Sequence, residues 1–254
     1  MRIIKNIGIL LAFALLGLGC NGENAPDCFQ NAGELILEEV SLPPFDSITV
    51  FENIQLILRQ GTAQQVIIET GTNLKADVTA EVEGSRLVLR DANNCNLFRP
   101  YGITKIYVTS PNISQIRSST GWPVISDGIL AYPSLSLVSE SFNDPEAETT
   151  DGSFDLEVAT QELQVVANGI AYFRLRGTTQ NFSATIAAGD SRIEAEALNA
   201  ASVVLNHRGS NDMLINPQQR LQGIIRGTGD VVSFNRPDTV VVEELYRGRL
   251  IFRD

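Results

Sequence analysis

The sequence is poor in the residues that most often build reactive or metal-binding centres. Its 254 residues include one histidine (His207), one tryptophan (Trp122) and three cysteines. One histidine without a closely spaced cysteine pair gives too few ligands for a His/Cys metal site, so we expect neither metal nor cofactor. Basic residues are also scarce, with 19 Lys and Arg against 30 Asp and Glu, a formal net charge of −11. Such a chain is poorly matched to nucleic acid, and no nucleic-acid partner is expected.

Helical patterning is also absent beyond the N-terminus, where no sustained apolar stripe of helical spacing occurs. Alternating apolar residues predict strands within residues 45–50, 54–58, 66–68 and 103–108 instead. Residues 78–89 carry apolar positions on both sides of Glu83-Gly84-Ser85, a hairpin pattern. The sequence therefore predicts an all-β protein.

A repeat of about twenty residues follows in the second half. Gly169, Gly189, Gly209 and Gly229 lie twenty residues apart, and an earlier copy begins at Gly152, seventeen residues before Gly169. In three of the repeats, apolar residues occur four and six positions after the glycine, as in a strand with one buried face. A fixed period in this range is typical of a stacked solenoid. We predict a parallel β-helix, right-handed and single-stranded, with a less regular N-terminal half rich in strands and hairpins.

Stacking in that register predicts which outward side chains are neighbours. It places Glu157 beside Arg174, Arg174 beside Glu194, Arg176 beside Glu196 and Arg192 beside Asp212, with no like charges adjacent. We interpret these residues as a charge ladder that sets register, because each basic group has an acidic neighbour. The alternative is a ligand surface for an anionic glycan, made of Tyr172, Arg174, Arg176 and Arg192, with Trp122 either stacked on a sugar or packed at a corner.

The N-terminus reads as a bacterial lipoprotein signal. Basic Arg2 and Lys5 precede an apolar run over residues 7–18, which is too short to span a membrane and ends at Leu-Gly-Leu-Gly-Cys. This favours a signal peptide over residues 1–19, lipid on Cys20, a tether over residues 20–40 and a single domain over residues 41–254. Gly17 departs from the usual lipobox, so an ordinary secreted chain is the alternative. The expected location is the outer membrane, facing either the periplasm or the cell surface, with the membrane as a partner through the lipid.

The remaining cysteines, Cys28 and Cys95, form an even pair in a compartment that oxidises thiols. We predict a disulfide that ties the tether to the first half of the domain; free buried thiols are the alternative. The acidic segment at residues 140–151 is predicted to be a solvated loop, because it matches no spaced calcium-binding loop.

Several motifs together resemble one protein family. In order they are FDSITV, IQLILRQG, VEGSRLVL, IYVTSP, the glycine-centred repeats, and GTGDVVSFNRP followed by RGRLIF. Over roughly residues 45–253 the chain resembles the putative auto-transporter adhesin head GIN domain, common in lipoproteins of Bacteroidetes. The resemblance implies a parallel β-helix in the cell envelope and brings no established catalytic residues.

These features together predict a protein that is not an enzyme. We expect a cell-envelope lipoprotein that presents a β-helical surface for adhesion or for a glycan or protein ligand. One alternative is a glycan-active β-helix enzyme, of the polysaccharide lyase or hydrolase kind, which would need clustered carboxylates. The other is a periplasmic structural or accessory lipoprotein of the outer membrane.

Overall fold

The computed structural model describes residues 27–97, 99–143 and 146–253 of the chain. These residues form an all-β protein, as predicted, with two short 3-10 turns at Asp27–Phe29 and Lys75–Asp77. The strands, in chain order, are β1 (Leu35–Val40), β2 (Ser47–Val50), β3 (Gln55–Gln60), β4 (Gln65–Gly71), β5 (Val78–Glu83), β6 (Arg86–Asp91), β7 (Lys105–Ser110), β8 (Gln115–Ser118), β9 (Pro123–Leu130), β10 (Ser134–Ser139), β11 (Ser153–Gly169), β12 (Tyr172–Gly189), β13 (Arg192–His207), β14 (Met213–Ile215), β15 (Pro217–Ile225), β16 (Val231–Ser233), β17 (Thr239–Glu244) and β18 (Leu250–Phe252).

Backbone pairing arranges these strands in two long ladders. The first ladder runs β1-β4-β7-β3-β9, then through the first parts of β11, β12 and β13, to β14, β16 and β18. The second runs β5-β6-β2-β8-β10, then through the later parts of β11, β12 and β13, to β15 and β17. All pairs are parallel except β1–β4, β4–β7 and β5–β6. The hairpin predicted at residues 78–89 is the β5–β6 pair.

The repeat is present as backbone pairing. Phe154 pairs with Phe173, Phe173 with Ile193, Ile193 with Met213, and Met213 with Val231, so equivalent positions are 18 to 20 residues apart. All five side chains have an exposed fraction of 0%. The predicted inward face is therefore confirmed, and it forms one continuous core with the inward residues of the second ladder.

The repeat glycines lie where successive repeats come closest. Gly169 pairs directly with Gly189, which has a φ of 83°, and a Cβ on Gly189 would collide with the Gly169 carbonyl oxygen. A Cβ on Gly209 would lie 2.8 Å from Cγ2 of Ile186. A side chain at any of these corners would therefore force the neighbouring repeats apart.

The alignment of Gly152 with Gly169 was wrong. Ser153 pairs with Tyr172, which places Gly152 level with Ala171, two residues beyond Gly169. The repeat that contains Gly152 is thus offset by nineteen residues from the next one. The loop before it starts the strand at a different point from the later glycine corners, and the sequence spacing alone does not show this.

The expected charge neighbours change with this register. Asp155 is opposite Arg174, and Glu157 is opposite Arg176, where we had predicted Glu157 beside Arg174. The predicted pairing of Arg174 with Glu194 is confirmed.

Two further expectations fail for local reasons. A register shift between Arg174 and Arg176 puts Ala197 opposite Arg176, so the predicted pairing with Glu196 is wrong. The step from Arg174 to Arg176 is two residues and the step from Glu194 to Ala197 is three, so the extra residue of this bulge lies on β13. The eighteen-residue step between β14 and β16 brings Asp230 beside Asp212, and the Asp230 amide donates to Asp212 Oδ1 at 3.0 Å. Two acids are therefore neighbours, contrary to prediction.

The N-terminal segment is tied to the sheet in two ways. The predicted disulfide between Cys28 and Cys95 is present, with the two Cα atoms 4.5 Å apart. β1, which lies within the region assigned to the tether, pairs along its whole length with β4, so the sheet begins before residue 41. The predicted signal peptide, Cys20 and the rest of the predicted tether up to residue 26 lie outside the described residues. Among the residues described, no helix has the length and apolar character needed to cross a membrane.

Candidate ligand-binding groove

A row of apolar side chains crosses the outer face of the first ladder. It consists of Ile67 on β4, Tyr107 on β7, Ile57 on β3 and Ile125 on β9, and we call it the apolar row. The backbone register makes each a direct neighbour of the next. Seven of the eight residues that flank the row positions, among them Leu56 beside Ile57, are buried in the core, and Ser126 is half-buried. The row therefore faces outward, yet Ile57 is only 7% exposed because its neighbours cover it.

Two adjoining cavities open above the apolar row. The larger has a volume of about 360 Å³ and the smaller about 100 Å³, and both are lined by Ile57, Tyr107 and Asp127. A third cavity of about 290 Å³ shares Lys105 with the larger one and continues toward the N-terminal segment. Its other lining residues are Ala32, Gly33, Leu35, Glu69, Pro100, Gly102 and Ile103. We call the three cavities together the groove; its floor is apolar and its rims carry hydrogen-bonding groups.

One rim is a three-residue polar cluster. Glu69 accepts hydrogen bonds from Lys105 Nζ at 2.9 Å and from the Tyr107 hydroxyl at 2.9 Å. Burial alone acts to raise the pKa of Glu69, but these two bonds outweigh it and the pKa is lowered. The hydrogen bond that Lys105 donates to Glu69 raises the pKa of Lys105. Burial, followed by the bond that its own hydroxyl donates to Glu69, raises the pKa of Tyr107. At neutral pH the rim therefore presents a paired Glu–Lys and a phenol whose proton is engaged.

The opposite rim is an ion pair. Arg59 on β3 donates through Nε to Oδ2 of Asp127 on β9 at 3.0 Å. Both side chains are more than half exposed, so this pair screens the end of the groove at little energetic cost or gain. Because the charges on both rims are already paired, the apolar row is the part of the groove that is left to contact a ligand.

Trp122 lies next to the groove with one side covered. Gly102 has a φ of 70°, and a Cβ there would overlap the Trp122 ring, so the indole packs against the Gly102 backbone. Trp122 is half-buried. Pro123, the next residue, is level with Ser153, which is level with Tyr172. Trp122 is thus two strands away from the predicted tyrosine–arginine surface.

The predicted surface residues Tyr172, Arg174 and Arg192 do come together, around Glu194. Arg192 Nε is 2.9 Å from Glu194 Oε1, Arg174 Nε is 3.7 Å from Oε2, and the Tyr172 hydroxyl also donates to this carboxylate. The bonds from Tyr172 and Arg192 lower the pKa of Glu194. Burial and the bond to Glu194 raise the pKa of Tyr172.

Arg176, the fourth predicted residue, belongs to an adjoining ion-pair cluster. It pairs with Asp155 and, through Nε, with Glu157 Oε2 at 3.5 Å. Asp155 also pairs with Arg174 Nη1 at 3.7 Å. These contacts support the charge-ladder interpretation, because each arginine of this surface already has an acidic partner.

The groove and the charged surface are continuous. Ile125, at the end of the apolar row, is opposite Asp155, and Asp155 is opposite Arg174. One line of outward residues thus changes from apolar to charged within two strands.

A carboxylate pair lies elsewhere, in a position that the sequence did not indicate. Glu52 and Glu148 share a hydrogen bond, and Arg90 Nη1 is 3.4 Å from Glu148 and 3.9 Å from Glu52. Burial, followed by the bond with Glu148, raises the pKa of Glu52 to about 7. Glycosidases hold their two carboxyl groups about 5 Å or more apart with substrate between them. The carboxyl groups of Glu52 and Glu148 are hydrogen-bonded to each other and so do not have this geometry.

The described residues contain no cluster of three or more His, Cys, Asp or Glu arranged to hold a metal ion. His207, the single histidine, has an exposed fraction of 0%. Its ring lies beside Gly229 at the repeat corner, and burial lowers its pKa. It is too enclosed to meet a substrate.

Comparison with known protein families places the chain. Residues 44–237 match the family described as "Putative auto-transporter adhesin, head GIN domain". The chain belongs to this family. No curated protein matches this head GIN domain.

Solved structures share the fold of this head GIN domain at low identity. A putative adhesin from Bacteroides fragilis NCTC 9343 is 20% identical with a TM-score of 0.76, over 88% of this chain and 99% of the other. A putative adhesin from Parabacteroides merdae ATCC 43184 is 13% identical with a TM-score of 0.61, over 88% and 98%. A "putative lipid binding protein" from Parabacteroides distasonis ATCC 8503 is 15% identical with a TM-score of 0.60, over 88% and 99%.

Sequence reasoning missed the groove of this head GIN domain, although a signal was present. Each contributing strand carries an apolar or aromatic residue at an outward position, within Leu56-Ile57-Leu58, Val66-Ile67-Ile68, Ile106-Tyr107-Val108 and Val124-Ile125-Ser126. A strand with one solvated face normally alternates apolar with polar. Four breaks of that alternation on strands that pair with one another indicate an apolar outer surface.

Proposed function

We propose that the protein is a non-enzymatic binding protein of the cell envelope, with an adhesin-like role, and that the groove is its ligand-binding site. The observation that carries the proposal is the apolar row beneath cavities of about 360 and 100 Å³. Apolar floors with a few placed polar groups are typical of ligand sites. Family membership supports the adhesin-like role.

The ligand that fits this chemistry is a glycan chain. Sugar rings have apolar faces as well as hydroxyls, and the larger cavity combines Ile57 and Ile125 with Gln55, Lys105, Tyr107, Ser126 and Asp127. The partnered arginines of the charged surface argue against recognition of a strongly anionic ligand there. A second candidate, an acyl chain, is favoured by the mainly apolar lining of the 290 Å³ cavity and by the name of the P. distasonis neighbour.

We also propose the finer features of the chain. The parallel ladders with steps of 18 to 20 residues support a parallel β-helix. The signal-like N-terminus supports lipid on Cys20, a tether that ends at β1, and an outer-membrane location. An enzymatic role lacks support, because the bonded Glu52–Glu148 pair has no room for substrate between its carboxyl groups.

A glycan array and intact-cell binding test the groove. The purified chain should bind at least one glycan saturably, and Ile125→Lys should weaken that binding at least tenfold because it places a charge in the apolar row. Ile129→Lys is the matched control: Ile129 is on the same strand and 54% exposed, but it lines none of the three cavities. Equal effects of the two substitutions, or no saturable glycan binding, would overturn the proposed site.

Two additional measurements separate the alternatives. If Leu35→Glu abolishes binding of a fluorescent fatty acid and leaves glycan binding unchanged, the 290 Å³ cavity is assigned to an acyl chain. Protease shaving of intact cells reports the side of the membrane: digestion before the outer membrane is opened indicates the surface, and protection until then indicates the periplasm.

A further inference from the structure

The last strand of the second ladder has an unpaired edge. Within the described residues, β17 pairs with β15 on one side and with no strand on the other. The free backbone groups of such an edge are a template for another strand. Protein edges are usually protected by central charges, proline or bulges, but the centre of β17 is Val240-Val241-Val242.

The side chains of β17 leave the end of the core open. Val240 is opposite the fully buried Leu221 and so points inward, yet it is 38% exposed. Val241 points outward and is 63% exposed. Stacked-repeat proteins normally cover their final repeat with a polar cap. The three central valines of β17 therefore present apolar side chains on both faces of the strand, while Glu244 lies at the inward position opposite Ile225.

We infer that this edge is covered by a second copy of the chain, whose β17 pairs antiparallel with β17 across a twofold axis at Val241. This register places Val240 against Val242 of the second copy, and Thr239 against Glu243 of the second copy. Inward residues then meet inward residues, as any stable register requires. A two-residue slip either brings Pro237, which lacks an amide hydrogen, opposite Glu243, or sets Glu243 and Glu244 against valines.

Charge complementarity supports a second copy in this register over an unrelated strand. Arg220 is the neighbour of Thr239 on β15. Neither Arg220 nor Glu243 forms an ion pair or a side-chain hydrogen bond with any described residue. In the paired state, Arg220 lies two strands from Glu243 of the second copy, or ~10 Å between Cα atoms, with only the small Thr239 between them. Their long side chains can meet across that distance, and the symmetry forms the contact twice.

Mass in solution and a symmetric cross-link test the pairing. Sedimentation of the purified chain should show a monomer–dimer equilibrium, and Val241→Lys should shift it to monomer. Val241→Cys should form an intermolecular disulfide under mild oxidation, because the two Cα atoms would be ~4.5–5.5 Å apart. Val240→Cys is the matched control, since its two copies would be separated by ~8 Å. Cross-linking of the unsubstituted chain, which also contains Cys20, measures the background.

Charge reversal distinguishes pairing from a change in folding. Glu243→Arg and Arg220→Glu should each weaken the dimer about tenfold, and the double variant should restore it, with unchanged circular dichroism throughout. A monomer at all concentrations up to 100 µM, equal cross-linking of the two cysteine variants, or failure of the double variant to recover would each overturn the inference.

Discussion

The rings of Phe154 and Phe173 stack inside the core, with centroids 4.8 Å apart and planes inclined by 6°. This distance equals the spacing of neighbouring strands, so the stack follows from direct pairing of the two residues. Phe173→Ala should lower the free energy of unfolding by about 3–5 kcal/mol, measured by urea denaturation, because it leaves a cavity against Phe154. Ile170→Ala, at a residue 67% exposed, should change it by less than about 0.5 kcal/mol.

The register of the charged surface predicts a specific rescue. Arg176→Glu should lower stability by roughly 0.2–1 kcal/mol for each exposed ion pair lost, because it faces Glu157 and Asp155. Adding Glu157→Arg should recover most of the loss. Adding Glu196→Arg should not, since Ala197 occupies the position opposite Arg176. The observed register would be contradicted if stability recovered when Glu196→Arg, but not Glu157→Arg, is added to Arg176→Glu.

Glu52 predicts a loss of stability as pH rises. Its folded pKa of about 7 lies above the ordinary value of 4.5, so the folded state holds a proton that the unfolded state has released. The stabilisation from Glu52 is complete below about pH 4.5 and disappears as the pH rises to about 7. Glu52→Gln should remove this part of the profile, as measured by urea midpoints between pH 4 and 8. Identical slopes for Glu52→Gln and the unsubstituted chain would contradict the assignment.

His207 predicts the opposite pH dependence of stability, over an overlapping pH range. Burial lowers its pKa below the ordinary 6.5, and neither ring nitrogen makes a hydrogen bond to the described residues, although the backbones of Asn211 and Gly229 lie close. The unfolded state takes up a proton first as pH falls, so stability is complete above pH 6.5 and declines below it. His207→Gln should flatten this decline in thermal melts at pH 5 and 7.5. Because the two residues act in opposite directions, each variant is compared with the unsubstituted chain at every pH.

The sequence predicted features that depend on local periodicity. Inward residues such as Phe173 and Ile193 follow from alternation, and the corner at Gly189 follows from the need for a residue without a side chain. The hairpin of β5 and β6 follows from its turn residues.

Features that depend on how repeats align in space were not predictable in this way. The offset of Gly152 is visible only in the pairing of β11 with β12, and the bulge opposite Arg176 only in the pairing of β12 with β13. The groove combines Ile67, Tyr107 and Ile125 from three separated strands, and only the pairing of those strands shows that they meet.

The two ladders also determine how the molecule resists pulling. Interstrand hydrogen bonds link β1, which follows Cys28 of the disulfide, to β18 through the first ladder, and link β5 to β17 through the second. A force applied between a membrane anchor and a partner held at the end formed by β17 and β18 would load these bonds in series. The rungs of β14, β16 and β18 have three residues each and should separate first. The molecule would then lengthen stepwise from that end, while the disulfide-bonded end stays folded.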